Sequence, residues 1–375
     1  MKIKLKEIGK IITGKTPPKN EKDAYGNTMN FLTPSDLKGQ RFSDITARQL
    51  SEKGVRGLKN NIVSGPSISV SCIGSNMGKT IFNKEAIITN QQLNSITFIR
   101  NDVNPLYLYY LLISKRELLH FIGSNQGSTM PILNKNDFGN LEFEIPSFEE
   151  QNYISGKLNL LDREIELNNQ INDNLEKLNR NFFRHIFGDQ KPINKASDIA
   201  NIKIGKTPPR KQNQWFSFKD GYKWLSIKDM KREGAFAFYA EEHLTEKAIQ
   251  KFNIQVVPQY TVMVSFKLTI GRVKISIEDM VTNEAIAQFK DSTLPYEFLY
   301  TYLDNFPFET LGSTSSIAKA INSKILKSMP ILVPKAELLS RYMIFAKPIF
   351  AKIFELQNEN IKLNVLKETL LNKYF

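Results

Sequence analysis

Two segments of about 40 residues, 147–187 and 335–375, carry apolar or Asn residues at steps of three and four on a polar background. In the first they fall at Leu161, Ile165, Asn168, Asn172, Leu175, Leu178 and Phe182. In the second they fall at Ile349, Ile353, Leu356, Asn360, Leu363, Leu366 and Leu370, a constant offset of 188. The spacing predicts two long helices with a coiled-coil seam, and the point where two threes adjoin predicts a small discontinuity. A helix of about 40 residues is roughly 60 Å long. An apolar stripe of that length needs a partner, and the economical partner is the other helix. Asn172 and Asn360, at matching positions, are candidates to fix the register, because a buried Asn costs stability but specifies alignment. Their other possible place is the solvent edge of the stripe.

The remaining pattern is written twice as well. Residues 1–146 and 188–334 hold short apolar runs, Gly and Pro punctuation, and β-branched stretches at 67–72 and 261–266. Gly14-Lys15-Thr16-Pro17-Pro18-Lys19 recurs as Gly205-Lys206-Thr207-Pro208-Pro209-Arg210. Phe31-Leu32-Thr33-Pro34-Ser35-Asp36-Leu37 answers to Trp224-Leu225-Ser226-Ile227-Lys228-Asp229-Met230. Farther on, Met77-Gly78-Lys79 matches Ile270-Gly271-Arg272, Thr89-Asn90-Gln91 matches Thr282-Asn283-Glu284, and Asn134 and Pro146 find Asn322 and Pro334. So many ordered matches identify an internal duplication. The expected fold class is α+β: two globular mixed α/β domains, 1–146 and 188–334, separated by long antiparallel helices, 147–187 and 335–375, that form a coiled coil. Two copies in one chain favour pseudo-two-fold symmetry, as in a fused homodimer.

Composition narrows the function. At 375 residues the chain is long enough for two domains. The 51 Lys and Arg exceed the 38 acidic residues, for a net charge of +13, a balance that favours a polyanionic partner. One cysteine, Cys72, excludes an internal disulfide framework, and His120, His185 and His243 are too scattered to suggest a metal site. Residues 1–10 alternate Lys with Ile and Leu and do not develop the apolar run of a signal peptide. With no stretch apolar enough to span a bilayer, a cytoplasmic protein with no membrane partner is expected.

The repeated opening, residues 14–18 and then 31–37, resembles that of target recognition domains in type I restriction–modification specificity subunits. Ile145-Pro146, Glu149-Glu150-Gln151, Leu161-Asp162, Ile165-Glu166 and Leu175-Glu176-Lys177-Leu178 look like that family's central spacer helix. The resemblance covers the whole chain in the order domain, helix, domain, helix. The second helix departs from it, with Glu337-Leu338-Leu339 in place of Glu149-Glu150-Gln151 and with Pro348, which should kink the helix or delay its start. The resemblance implies a non-catalytic chain that reads a bipartite, asymmetric site in double-stranded DNA, one half-site per domain, the helices setting the gap. It implies two methyltransferase subunits that methylate adenine in each half-site, and a restriction or translocase subunit beside them. S-adenosylmethionine, ATP and magnesium would belong to those partners, and no cofactor or metal to this chain.

Two motifs invite an enzymatic reading. Gly74-Ser75-Asn76-Met77-Gly78-Lys79-Thr80 is one residue short of a P-loop, which needs four residues between its glycines to wrap a phosphate in backbone N–H groups. Its counterpart keeps only Gly271 and Arg272, so a strand-connecting turn that places a cation near the DNA backbone is the better reading. Asn104-Pro105-Leu106-Tyr107 invites comparison with the adenine-methyltransferase motif but lacks its second proline, and its counterpart Leu294-Pro295-Tyr296 lacks the Asn. Pro105 is better read as opening a helix with Leu106, Tyr109 and Leu112 on its apolar face.

Phosphate contacts are expected from Lys15, Lys19, Lys206, Arg210 and Lys211 on the repeated loop, with Thr16 and Thr207 beside them. Base-edge readers need forked donors and acceptors. Candidates are Gln91, Gln92, Asn125 and Gln126 in the first half, and Lys228, Lys231 and Arg232 in the second. Asp36 and Asp229 are expected to cap loops, and Phe31 and Trp224 to be core. The competing functional class is a coiled-coil adaptor whose globular domains bind protein rather than DNA.

Overall fold

The structure, a computed structural model, describes residues 2–124, 132–311 and 321–375. The three-and-four spacing delivers helices Phe148–Phe187 and Ala336–Tyr374. The second helix begins well ahead of Pro348, so the proline does not delay its start. Pro348 and Ile344 are both exposed, so water can serve the carbonyl that loses its helical donor. The chain forms two compact units, residues 1–163 with 364–375 and residues 164–363, and both boundaries fall inside the long helices.

In each unit the long helices are paired antiparallel. In the first unit, Lys367 Nζ meets Asp162 Oδ1 at 2.5 Å, while Ile154 and Leu158 share a core with Leu371 near the far end of the second helix. In the second unit, Asn168 Nδ2 donates to Asn360 Oδ1 at 3.0 Å and Asn360 Nδ2 donates to Asn169 Oδ1 at 2.8 Å. Asn172 is buried too, so the matching asparagines lie inside the stripe rather than at its solvent edge. One pair of seam positions is displaced. Leu178 and Leu366, equivalent by the repeat, are 51% and 47% exposed, and the next residues, Asn179 and Lys367, turn inward instead.

Each unit is built on the same antiparallel sheet. In the first the order is Lys10–Thr13, Leu93–Thr97, Ser67–Ser71, Thr80–Asn83, with Asn94 opposite Thr13 and Leu93 opposite Ser71. In the second it is Asn201–Ile204, Ile286–Lys290, Val262–Ser265, Val273–Ser276, and Phe236–Ala237 adds a parallel edge strand. Alternation explains why Ser67–Ser71 is buried throughout. Ile68 and Val70 face the helical core, while Ser67 and Ser69 face the other way and are bonded to Asn83 Nδ2 at 3.0 and 2.8 Å. A second sheet stands in each half, five-stranded in the first and four-stranded in the second, in which Phe31–Leu32 pairs parallel with Ile88–Thr89 and Trp224–Leu225 pairs parallel with Val281–Thr282. Phe31 and Trp224 are buried core residues, each contributing roughly 2–3 kcal/mol of burial.

Candidate nucleic-acid interface

The strand order brings four loops of each unit to one sheet end, and backbone and side-chain bonds tie three of them into a closed ring onto which the fourth, the Gly-Lys-Thr-Pro-Pro loop, is fastened. In the first unit, Lys15 N–H donates to Thr89 O at 2.9 Å and Asn90 N–H to Leu32 O at 2.9 Å. Lys79 Nζ reaches Leu37 O at 3.3 Å, and Cys72 N–H donates to Gln92 O at 2.9 Å, which closes the ring. The second unit repeats the circuit: Lys206 N–H to Thr282 O at 3.0 Å, Asn283 N–H to Leu225 O at 3.0 Å, Arg272 Nη1 to Ile227 O at 3.0 Å and Phe266 N–H to Ala285 O at 2.9 Å.

The Gly-Lys-Thr-Pro-Pro motif is the latch of this ring. A Cβ on Gly14 would overlap the carbonyls of Thr89 and Asn90, and one on Gly205 those of Thr282 and Asn283, so only glycine allows the approach. Thr16 Oγ1 then donates to Gln91 Oε1 at 2.5 Å, and Thr207 Oγ1 bonds to the carboxylate of Glu284. Asp36 and Asp229 close the next loop identically. Asp36 accepts from Thr33 N and Oγ1 at 2.8 and 2.7 Å and from Ala47 N at 2.8 Å. Asp229 accepts from Ser226 N and Oγ at 3.0 and 2.6 Å and from Glu241 N at 3.2 Å. Both act as the loop-closing residues expected, each accepting bonds that hold its loop in place.

The proposed cations fall into two groups. Lys15, Lys19, Lys211 and Lys231 are exposed on the ring. Others are engaged within the protein. Lys206 Nζ caps helix Glu246–Phe252 through the carbonyls of Phe252 and Asn253, at 3.0 Å each. Arg210 bonds both carboxylate oxygens of Glu242, at 2.8 and 2.7 Å, with its guanidinium 4.3 Å from the Trp224 ring centre. Lys228 pairs with Glu241 at 2.6 Å, a bond that holds the amine above its ordinary pKa and the carboxyl below its own. Arg232 lies 3.5 Å over the exposed Tyr239 ring. Gln91 is exposed, whereas half-buried Gln92 exchanges bonds of 3.1 Å with Asn90. Asn125 and Gln126 lie outside the described residues.

Both enzyme-like motifs are structural. The P-loop look-alike ends a hairpin, in which Gly78 N–H donates to Ser71 O at 2.8 Å just as Gly271 N–H donates to Ser265 O at 2.9 Å. Lys79 and Arg272 each donate to a neighbouring carbonyl, so the turn connects strands as expected and its cation is tied back to the protein. Asn104 caps helix Pro105–Ser114, its Oδ1 accepting from Leu106 and Tyr107 N–H at 2.8 and 3.1 Å. That helix buries every side chain from Tyr107 to Leu112 instead of one face. Burial also pushes the Cys72 thiol up to about 11, which leaves it unreactive. Among the described residues, no group of three or more His, Cys, Asp or Glu could hold a metal ion, and no helix is long and apolar enough to cross a membrane.

Sequence reasoning missed Lys267 and Leu268 at the second hairpin tip, and Tyr239 beneath Arg232. Their only sequence signal is adjacency to matched residues, since neither Leu268 nor Tyr239 has a like residue in the first half.

Duplicated sheet domains with matched circuits of loops, alternating with long helices, define an internally duplicated two-domain protein. The chain belongs to the type I restriction modification DNA specificity domain family, whose model matches residues 1–177 and 193–367. It is therefore a specificity subunit: it recognises DNA sequence, and catalysis lies with partner subunits. It is 24% identical to the type I restriction enzyme MjaIX specificity subunit of Methanocaldococcus jannaschii, over 99% of this chain and 91% of that protein. Over 39% of this chain and 31% of the relative it is 31% identical to the HindI specificity subunit of Haemophilus influenzae. Its fold is similar to the crystal structure of the type I restriction–modification S subunit from M. genitalium, with a TM-score of 0.57 at 15% identity, covering 100% of this chain and 96% of that one.

Proposed function

We propose that each ring of loops is a reading head for one half of a split DNA site, and that the paired long helices set the gap between the halves. The observation that carries this reading is the ring itself, assembled twice from the same latch, cap and hairpin but dressed with different side chains. Exposed Lys15, Lys19 and Lys211 would hold phosphates, with Arg210 and Lys206 joining by exchanging internal partners for DNA oxygens. Gln91 and Gln92 carry both a donor and an acceptor for base edges, and Lys228, Lys231 and Arg232 carry donors; Asn125 and Gln126 would join them by side-chain chemistry alone.

A pseudo-two-fold relation between the readers, which the internal duplication favours, would present them to a duplex with opposite polarity and put the marks they direct on opposite strands. Methyltransferase subunits, carrying S-adenosylmethionine, would dock on this chain and modify one adenine per half-site. A restriction subunit that uses ATP and magnesium would act through the same scaffold in the cytoplasm.

Mapping of methylated adenine across the genome, with and without this gene, tests the proposal. Loss of a split motif is expected, with a gap of about five to eight base pairs, which sets half-site centres about one helical turn apart. An unchanged methylome would sink it. Purified chain that joins its methyltransferase but shows no sequence-dependent DNA shift would favour the adaptor reading.

A further inference from the structure

The ring of the second unit presents one side chain for which the fold has no use. Leu268 stands at the tip of the hairpin between Val262–Ser265 and Val273–Ser276, 91% exposed, with φ of +63°. A left-handed backbone strains a leucine, because its Cβ crowds the following carbonyl, and at this exposure no core contact offsets that strain. The first unit's hairpin, one residue longer and turned differently, puts a glycine at its own left-handed position, Gly74 at φ of +66°. A strained residue outside the core points to function.

The tip is also held firmly. Thr269 N–H donates to Lys267 O at 2.8 Å, closing a three-residue turn around Leu268, a strained turn type when its centre has positive φ. Ser265 Oγ donates to Thr269 O at 2.5 Å, and Arg272 anchors the hairpin to Ile227 O at 3.0 Å. Beside the leucine stand exposed Lys267 and Ile270. An apolar tip on a rigid turn with a cation next to it suits insertion between stacked bases while a phosphate is held alongside.

We infer that Leu268 is a wedge that enters the duplex at one base step of the half-site read by the second unit, with Lys267 on the adjacent phosphate. The inference rests on the reading-head proposal and adds a mode of specificity to it. Wedging partly unstacks the step, so it favours steps that deform readily, such as pyrimidine–purine steps, without any hydrogen bond to a base. With glycine at the left-handed position of its hairpin, the first unit leaves its half-site stacked.

The test uses the full chain with its methyltransferase subunits and a duplex carrying the split site found by methylation mapping. 2-Aminopurine is placed in turn along both half-sites. Apart from the adenine that each methyltransferase flips out, binding should raise its fluorescence at one step, in the half-site read by the second unit only. Leu268→Gly suits the left-handed turn, so it should raise Tm, abolish the fluorescence rise and weaken binding about tenfold. Lys267→Ala should keep the rise while flattening the salt dependence of binding by about one charge. A site bound with no such responding step, or bound equally by Leu268→Gly, overturns the wedge. So does Leu268→Gly losing the methyltransferase subunits while DNA affinity holds, an outcome that makes the tip a protein contact. Failure of the unmodified complex to bind the split duplex removes the reading-head proposal, and the wedge with it.

Discussion

Single residues in this protein show how a motif can be visible while its purpose is not. Gly14 and Thr16 stand out because they recur as Gly205 and Thr207, yet their work is to latch one loop onto another. Arg210 and Lys206 look like free cations because their partners, Glu242 and the end of helix Glu246–Phe252, lie more than 30 residues away along the chain. Asp36 and Asp229 were legible because a cap's donors sit three residues off. Each carries several bonds to backbone and hydroxyl donors in a buried site, so Asp36→Ala or Asp229→Ala should cost about 1–3 kcal/mol in urea unfolding. A cost near zero for both would show the ring to be held by its backbone alone. Glu176 makes the pH-dependent case. Burial, with Asp304 and Asp173 nearby, pushes its carboxyl up to about 7 despite Lys274 and Arg180. A raised carboxyl keeps its proton in the folded state after the unfolded chain has released it. Stability therefore falls as pH rises from about 4.5 to 7, and the penalty is complete above 7. Glu176→Gln should be more stable than the unmodified chain at pH 8 by about 1–2 kcal/mol, allowing for partial exposure, with the difference gone near pH 4. Denaturant midpoints at the two pH values measure it, and a pH-independent difference would contradict it.

Elements were more legible than residues. The long helices and the duplication followed from periodicity and ordered matches, because both are repeated many times along the chain. The seam was legible only in part. An apolar reading selects Leu178 and Leu366, whereas the helices bury Asn179 and turn Lys367 inward, since their polar ends find partners a sequence cannot display. Asn179 Nδ2 donates to Thr301 Oγ1 at 2.8 Å, and Tyr342 Oη bonds to Asn179 Oδ1 at 3.0 Å and Thr301 Oγ1 at 2.9 Å. That triangle pins both long helices to helix Tyr296–Asp304 inside the second unit. Tyr342→Phe leaves buried Asn179 Oδ1 without its donor, while Thr301 Oγ1 keeps Asn179 Nδ2 and Glu297 O, and should cost about 1–2 kcal/mol. A double-mutant cycle with Asn179→Ala should return a coupling well above the roughly 0.5 kcal/mol seen for independent sites. Additive effects would mean that the triangle does not act as a unit.

At the scale of the whole molecule, duplication keeps the scaffold and frees the surface. Gln91 stands where the second ring has Glu284, and the first hairpin turns on Gly74, the second on Leu268. Two heads so dressed should read different half-sites, and on the proposal above the distance between those half-sites would be set by the paired helices. That separation of roles can be tested by length alone. In the second unit the seam is registered by Asn168 on Asn360, so a change of length must be made in both helices to keep the pair together. Four residues inserted after Asn172, matched by four after Glu355, form a stutter that the antiparallel pair can absorb by local unwinding. Four helical residues add about 6 Å, which is between one and two base pairs at roughly 3.4 Å each. Methylation mapping of the doubly inserted chain should then find both half-sites unchanged in sequence and the gap longer by one or two base pairs. If the half-site letters change, the helices help to shape the reading heads; if the gap stays as it was, they are not the ruler.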